Sequence, residues 1–163
     1  MPRVDAIVSH RLFLQSITAI EHAERDRPFC RHGLPHLLDV ARIAWARNLE
    51  EGLGLDRELV YAAALLHDVG RAEEYTSGEP HDEAGARVAR RILGSLPVEA
   101  RFTETEVEAI LGAVAAHRGG GQAQGELARV LRFADKASRA CFACPSRSAC
   151  KWPDEKKNLT LSW

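Results

Sequence analysis

Apolar positions recur every three or four residues along most of the chain, and no stretch sustains an apolar/polar alternation, so the pattern predicts helices and no substantial sheet. The first predicted helix runs from about Val4 to Arg25, with Ile7, Val8, Phe13, Leu14, Ile17 and Ile20 on its buried side. Pro28 and Gly33 punctuate a loop before a second helix over about 35–49. There Leu37, Val40, Ala41, Ala44 and Trp45 recur at helical spacing, and Gly52 and Gly54 end the run. Asp56 is a natural N-cap for a third helix over 57–68. Its stretch 59–66 is apolar all round, which predicts the central, buried helix, closed by Gly70. Residues 71–79 read as a polar loop, and Pro80 suits the first position of a fourth helix reaching about Leu96. Thr103 and Glu106 form a capping box for a fifth helix ending near His117. A glycine-rich loop over 118–125 precedes a sixth helix over about 126–142. The expected fold is all-α: a bundle of about six helices over 1–142, with a cysteine-containing tail, 143–163, packed on the same domain.

Composition narrows the function classes. The 163 residues suit one domain, and 45% hydrophobic with 28% charged residues suits a globule with a full core. The formal net charge of −1, from 22 Lys+Arg against 23 Asp+Glu, argues against a dedicated nucleic-acid binder. Only 6% of residues are aromatic, which leaves little for a base-stacking surface. No stretch approaches the roughly 18 apolar residues of a membrane span. Asp5, His10 and Arg11 stand where a secretory signal would be apolar, so the expected location is cytoplasmic.

The seven histidines and four cysteines carry the chemistry. Two apolar runs end directly in histidine: 59–66 leads into His67-Asp68, and 109–116 leads into His117. A third, more mixed run over 130–134 leads into Asp135. Ligands at the ends of buried segments are what a metal site in a helical bundle needs. Taken singly, His67 or His117 reads more readily as a satisfied core residue or a cap than as a ligand. The adjacent pair His67-Asp68 is more informative. Consecutive helical residues project about 100° apart, so both reach one ion only near a helix end or in a crevice between helices. A carboxylate in that apolar setting needs a compensating partner, and a cation is the simplest.

These residues resemble the HD-domain metal-dependent phosphohydrolases. The resemblance begins at His36 in the stretch 36–44, continues through Ala63-Ala64-Leu65-Leu66-His67-Asp68-Val69-Gly70-Arg71, and ends at Ala134-Asp135-Lys136. It implies that His36, His67, Asp68 and Asp135 bind a first metal ion. His81 and His117 match the variant of the family that holds two metals, in which they bind the second ion and Asp68 bridges. In one-metal members the equivalent histidines touch the substrate phosphate. Such ligands suit Fe, Mn, Zn, Co or Ni, and spacing does not choose among them. Arg71, Arg118 and Lys136 each adjoin a proposed ligand and are candidate phosphate-binding groups, with Asp68, Arg71, His117 and Lys136 the catalytic candidates. His32 could cap, line the site or lie in the loop with Cys30, while His10 and His22 read as ordinary residues of the first helix.

Cys141, Cys144 and Cys150 fall within ten residues, in the pattern Cys-x2-Cys-Pro-x4-Cys. A Cys-x2-Cys pair is the usual half-site for zinc or an iron–sulfur cluster, and Cys30 or a histidine could complete it. The alternatives are reduced thiols packed as small hydrophobes, or a Cys144–Cys150 disulfide. The cluster lies outside the HD pattern. The expected activity is metal-dependent hydrolysis of a phosphate ester, on a nucleotide or another small phosphorylated metabolite. The alternatives are a non-catalytic nucleotide-binding module, a metal- or redox-sensing protein, and, more weakly, a nuclease.

Overall fold

The computed structural model of the chain describes residues 1–117 and 124–161. Among these residues the regular structure is helical, with no strand. In chain order the α-helices are α1 (Pro2–Val8), α2 (Arg11–Ala23), α3 (Leu34–Glu50), α4 (Arg57–Leu66), α5 (Arg71–Ser77), α6 (His81–Gly94), α7 (Glu104–Ala116) and α8 (Glu126–Ala137). Eight helices therefore stand where the apolar pattern predicts about six, and two local causes account for the difference.

The first predicted helix is broken between α1 and α2. His10 leaves the helix with extended backbone (φ −69°, ψ 132°), and its Nδ1 accepts from the Leu12 N–H at 3.1 Å, capping α2. Ser9 donates its hydroxyl back to the Asp5 carbonyl at 2.7 Å. Such local side-chain bonds compete with helix continuation, so His10 is a cap rather than an ordinary surface residue. The second difference is α5, which replaces the polar loop predicted over 71–79. Its first turn carries Glu73 and Glu74, favourable at the positive end of the helix, and Gly78 closes it with left-handed backbone (φ 77°). Seven residues with few apolar positions carry too little periodicity to be read as a helix.

The 59–66 stretch is the centre of the bundle. Val60, Ala62, Ala63, Ala64, Leu65 and Leu66 are all fully buried, and α4 packs against α1, α3, α7 and α8. Asp56 caps α4, and Thr103 and Glu106 form the reciprocal capping box of α7. Arg3 ties α1 to these helix starts: its guanidinium reaches Glu58 at 2.7 Å, Asp56 at 2.7 Å and Glu106 at 2.9 Å, over the ring of Phe102.

Beyond α4 the chain turns through 67–70 into α5. Gly70 has ordinary backbone (φ −73°), so its role is close approach rather than an unusual turn. A Cβ there would lie 2.2 Å from both the Gly85 nitrogen and the His81 carbonyl of α6. That contact sets the start of α6 against the end of α4. The last helix, α8, stops at Ala137 rather than near 142, and the chain continues through 3-10 turns over Cys141–Ala143, Arg147–Ala149 and Asp154–Lys156. The Asn158 amide donates to the Lys136, Ala137 and Arg139 carbonyls at 2.7, 3.2 and 2.8 Å, closing the end of α8 from within the tail. Among the described residues no helix is long and apolar enough to cross a membrane.

Candidate metal centre

Five elements deliver six side chains able to ligate a metal to one point. His36 lies in the first turn of α3, and His67 and Asp68 follow the last residue of α4. His81 is the first residue of α6, His117 caps the end of α7, and Asp135 lies in α8. Two groups form, each with its ligand atoms within 4.8 Å of one another: His36, His67 and Asp135, and Asp68, His81 and His117. Asp68 faces both. Its Oδ2 is 3.5 Å from His36 Nε2 and 3.3 Å from His67 Nε2, while its Oδ1 is 3.6 Å from His81 Nε2 and 3.4 Å from His117 Nε2. Asp135 Oδ1 is 3.5 Å from His36 Nε2 and 3.9 Å from His67 Nε2.

The hydrogen-bond network assigns the tautomers. His67 Nδ1 lies 2.7 Å from the Ala64 carbonyl and His117 Nδ1 lies 2.5 Å from the Val114 carbonyl, and a carbonyl can only accept. His81 Nδ1 faces the Glu74 carboxylate at 2.9 Å. His36 Nδ1 meets Ser138 Oγ at 3.3 Å, and that hydroxyl spends its own proton on the Asp135 carbonyl at 2.7 Å. All four imidazoles therefore carry hydrogen on Nδ1 when neutral and turn the Nε2 lone pair to the centre, the arrangement by which metal-ligating histidines are oriented. Both Asp68 oxygens and the Nε2 atoms of His36 and His67 are buried without a hydrogen-bond partner. The His81 and His117 Nε2 atoms stand 3.2 Å apart. Converging buried lone pairs are costly unless a cation sits among them. The residues present therefore fit one or two divalent ions.

Electrostatics keep the shared carboxylate ionised. Burial pushes the Asp68 carboxyl up, but the imidazoles of His67, His117 and His36 outweigh it and hold the group well below the usual carboxylate range. Burial and then Arg71 push His81 down. Burial also pushes His117 down, yet Asp68 carries it above the ordinary histidine value. Arg71 Nε lies 2.8 Å from Asp68 Oδ1, so this cation is held at the carboxylate, on the His81–His117 side. Lys136 is exposed, and its side chain makes no hydrogen bond or ion pair among the described residues. Arg118 and most of the glycine-rich loop lie outside the described residues.

Position along the chain does not reveal the residues that hold the ligands. Glu74 and Ser138 are such residues, and so is the network behind His32. Glu24 is buried (2% exposed) and accepts from the His32 backbone N–H at 2.6 Å, from His32 Nδ1 at 2.5 Å and from the Tyr75 hydroxyl. Burial opposes ionisation of Glu24, but the bonds from His32 and Tyr75 bring its carboxyl down to about 2. Burial and Glu24 together push the Tyr75 phenol up to about 12. His32 packs edge-on against His36, with ring centres 5.5 Å apart, so it stands against a ligand rather than among the ligands. Glu24 carries no recognisable sequence signal.

The match to known proteins covers this framework. The HD domain family's sequence profile matches residues 33–140, from the start of α3 to just beyond α8. The chain belongs to the HD domain family. HD domains form a superfamily of metal-dependent phosphohydrolases that bind divalent metals. A Clostridium beijerinckii protein named only as uncharacterized is 37% identical over 161 residues, 99% of each chain. Ribonuclease Y of Enterococcus faecalis is 32% identical over 126 residues, and that of Clostridium tetani 28% identical over 131. These alignments cover 77% and 80% of this chain but 22% of each ribonuclease, so the HD domain here spans about a fifth of those relatives. No solved structure matches the chain.

The four cysteines lie beside the HD centre. All are free thiols in this structure, and no Cys144–Cys150 disulfide joins them. Cys30, Cys141, Cys144 and Cys150 line one cavity of about 400 Å³, whose wall also includes His36 and Ser138. Burial pushes the Cys30 thiol up, and the neighbouring Cys141 and Cys144 push it the same way.

Proposed function

We propose that this protein hydrolyses a phosphate ester of a nucleotide or another small phosphorylated metabolite. In this reading one or two divalent transition-metal ions (Fe, Mn, Zn, Co or Ni) are held by His36, His67, Asp68 and Asp135 on one side and by His81 and His117, with Asp68 shared, on the other. The observation that carries it is the shared carboxylate: both Asp68 oxygens are buried, Oδ1 has only the Arg71 guanidinium beside it, and each faces imidazole Nε2 atoms whose Nδ1 atoms are already bonded elsewhere. Bound ions of this kind lower the pKa of water towards neutrality and neutralise charge on phosphoryl oxygens.

The protein's own groups supply position and charge. Glu74, Ser138 and the Ala64 and Val114 carbonyls hold the imidazoles in one tautomer. Arg71 secures Asp68 and is the described cation best placed to meet a phosphate at the His81–His117 side. With an ion on the His36 side alone, His117 Nε2 is free to hold a proton beside Asp68, which supports a part in proton transfer to the leaving group; with two ions it is a ligand instead. Asp135, 28% exposed in its side chain, is where the centre meets solvent. Lys136 and Arg118 remain candidate phosphate contacts on the strength of their neighbours in sequence.

A second reading, cleavage of RNA phosphodiesters, is favoured by the likeness to ribonuclease Y and opposed by the near-zero net charge. One experiment separates these: protein purified without chelator, assayed for bound metal and then against phosphomonoesters, nucleotides, dinucleotides and a short RNA, with Mn, Co, Ni or Fe added. Metal-dependent release of phosphate from small esters is expected. Turnover of RNA alone selects the second reading, and fully metallated protein inert on the whole panel removes both.

A further inference from the structure

We propose that Cys30, Cys141, Cys144 and Cys150 ligate an iron–sulfur cluster of the four-iron type in the cavity between the 28–31 loop and the tail. The cluster is a second inorganic site, separate from the HD centre.

The fold brings the sulfurs together from distant parts of the chain. Cys30 lies in the loop after α2, where its carbonyl accepts from Arg27 Nε at 2.8 Å. The other three follow α8. Cys141 opens one 3-10 turn, Cys144 ends it, and Cys150 ends the next. Cys144 (φ −75°, ψ 120°) and Cys150 (φ −76°, ψ 125°) have nearly the same backbone at the ends of two successive turns. A segment with little apolar material, tied down by Asn158, is thus arranged around a hollow lined by sulfur.

Spacing selects the kind of metal group. Four thiolates on one zinc stand about 3.8 Å apart, from Zn–S bonds of about 2.3 Å in a tetrahedron. Among the described residues, the groups with ligand atoms within 4.8 Å of one another are the two at the HD centre, and no three of the four sulfurs form another. The four free thiols thus stand wider than the ligands of one ion, around a cavity of about 400 Å³. A multi-iron cluster gives each thiolate its own iron and so needs the wider frame. Charge agrees, since four thiolates with a cluster are net anionic. Arg31, Arg139, Arg147 and Lys157 line the cavity against a single carboxylate, Asp39.

The test is acid-labile sulfide, because iron could also occupy the HD centre whereas sulfide could not. Protein made and purified without oxygen, with iron supplied, is expected to hold about four sulfides per chain and to show broad visible thiolate-to-iron absorption. Cys30→Ser and Cys150→Ser should each lower sulfide and absorption at least several-fold, with the helical circular dichroism retained. Asp68→Ala should keep the full sulfide content while losing metal from the HD centre, so that failure of one site is distinguished from failure of the other. Stoichiometric zinc without sulfide, four thiols freely titrated in the folded anaerobic protein, or full sulfide in both serine variants would each overturn the cluster. Because wild-type sulfide content decides the matter alone, a serine variant that fails to fold does not rescue the idea.

Discussion

The HD centre and the cysteine cavity stand side by side, sharing His36 and Ser138 as a common wall, yet they are built in opposite ways. The centre is assembled by apolar packing. Its ligands sit at the ends of helices whose buried faces set their depth, and each imidazole is fixed from behind by a partner outside the centre. The cavity is assembled by turns, with Cys30 exposed and Cys141, Cys144 and Cys150 half-buried. A site on packed helices can be organised before anything binds, whereas a site on turns depends on its ligand for order. The comparison predicts that chelation leaves the helical core standing in the first case and loosens the tail in the second.

The sharpest way to break the comparison is Asp68→Asn, which keeps shape but removes the charge shared by both metal groups. Turnover is expected to fall by about 10³-fold, with bound metal lost and thermal unfolding little changed. Metal retained in full, measured by elemental analysis, would contradict the bridging role. Next is Gly70→Ala. With a Cβ placed 2.2 Å from α6 backbone, no rotamer can relieve the clash, and a loss of about 3 kcal/mol is expected from urea unfolding. An unaffected midpoint would mean that the α4–α6 contact is looser than described.

The network behind His32 gives a pH-dependent prediction. The Glu24 carboxyl is held at about 2, below its ordinary 4.5, so its stabilisation is present above about pH 4.5 and is lost as pH falls towards 2. That shift corresponds to about 3 kcal/mol at neutral pH. His32, pushed down by burial despite its bond to Glu24, adds to the acid loss. Tyr75, pushed up to about 12, contributes below its ordinary value and loses that contribution as pH rises towards 12. Glu24→Gln should therefore flatten the acid limb of a stability profile, and Tyr75→Phe the alkaline limb. An unchanged acid limb in Glu24→Gln would sink the assignment. The smallest expected effect is that of Asn158→Ala, about 1 kcal/mol, concentrated in hydrogen exchange at the end of α8.

What was legible in the chain follows the same division. The buried character of α4, the caps at Asp56 and Thr103, and the donors at the ends of apolar runs are local signals. Each needs only neighbours within a turn or two. The break at His10 was hidden because a single capping contact overrides an unbroken apolar stripe. Helix α5 was hidden because seven mostly polar residues show no period. The partners that fix the site are long-range. Ser138 meets His36 across 102 positions and Tyr75 meets Glu24 across 51. Nothing near Glu24 in sequence distinguishes it from a surface glutamate.

The closure of α8 by Asn158 has a consequence for how the protein comes into being. A chain emerging from the ribosome can bury α4 and gather His36, His67, His81 and His117 while its later residues are still being made. The carbonyls at the end of the helix that carries Asp135 wait for a side chain some twenty positions further on. The end of α8 is therefore the last part of this framework to be closed, and a newly made chain stopped short of 158 would carry Asp68 and the histidines in place with the last turn behind Asp135 still uncapped.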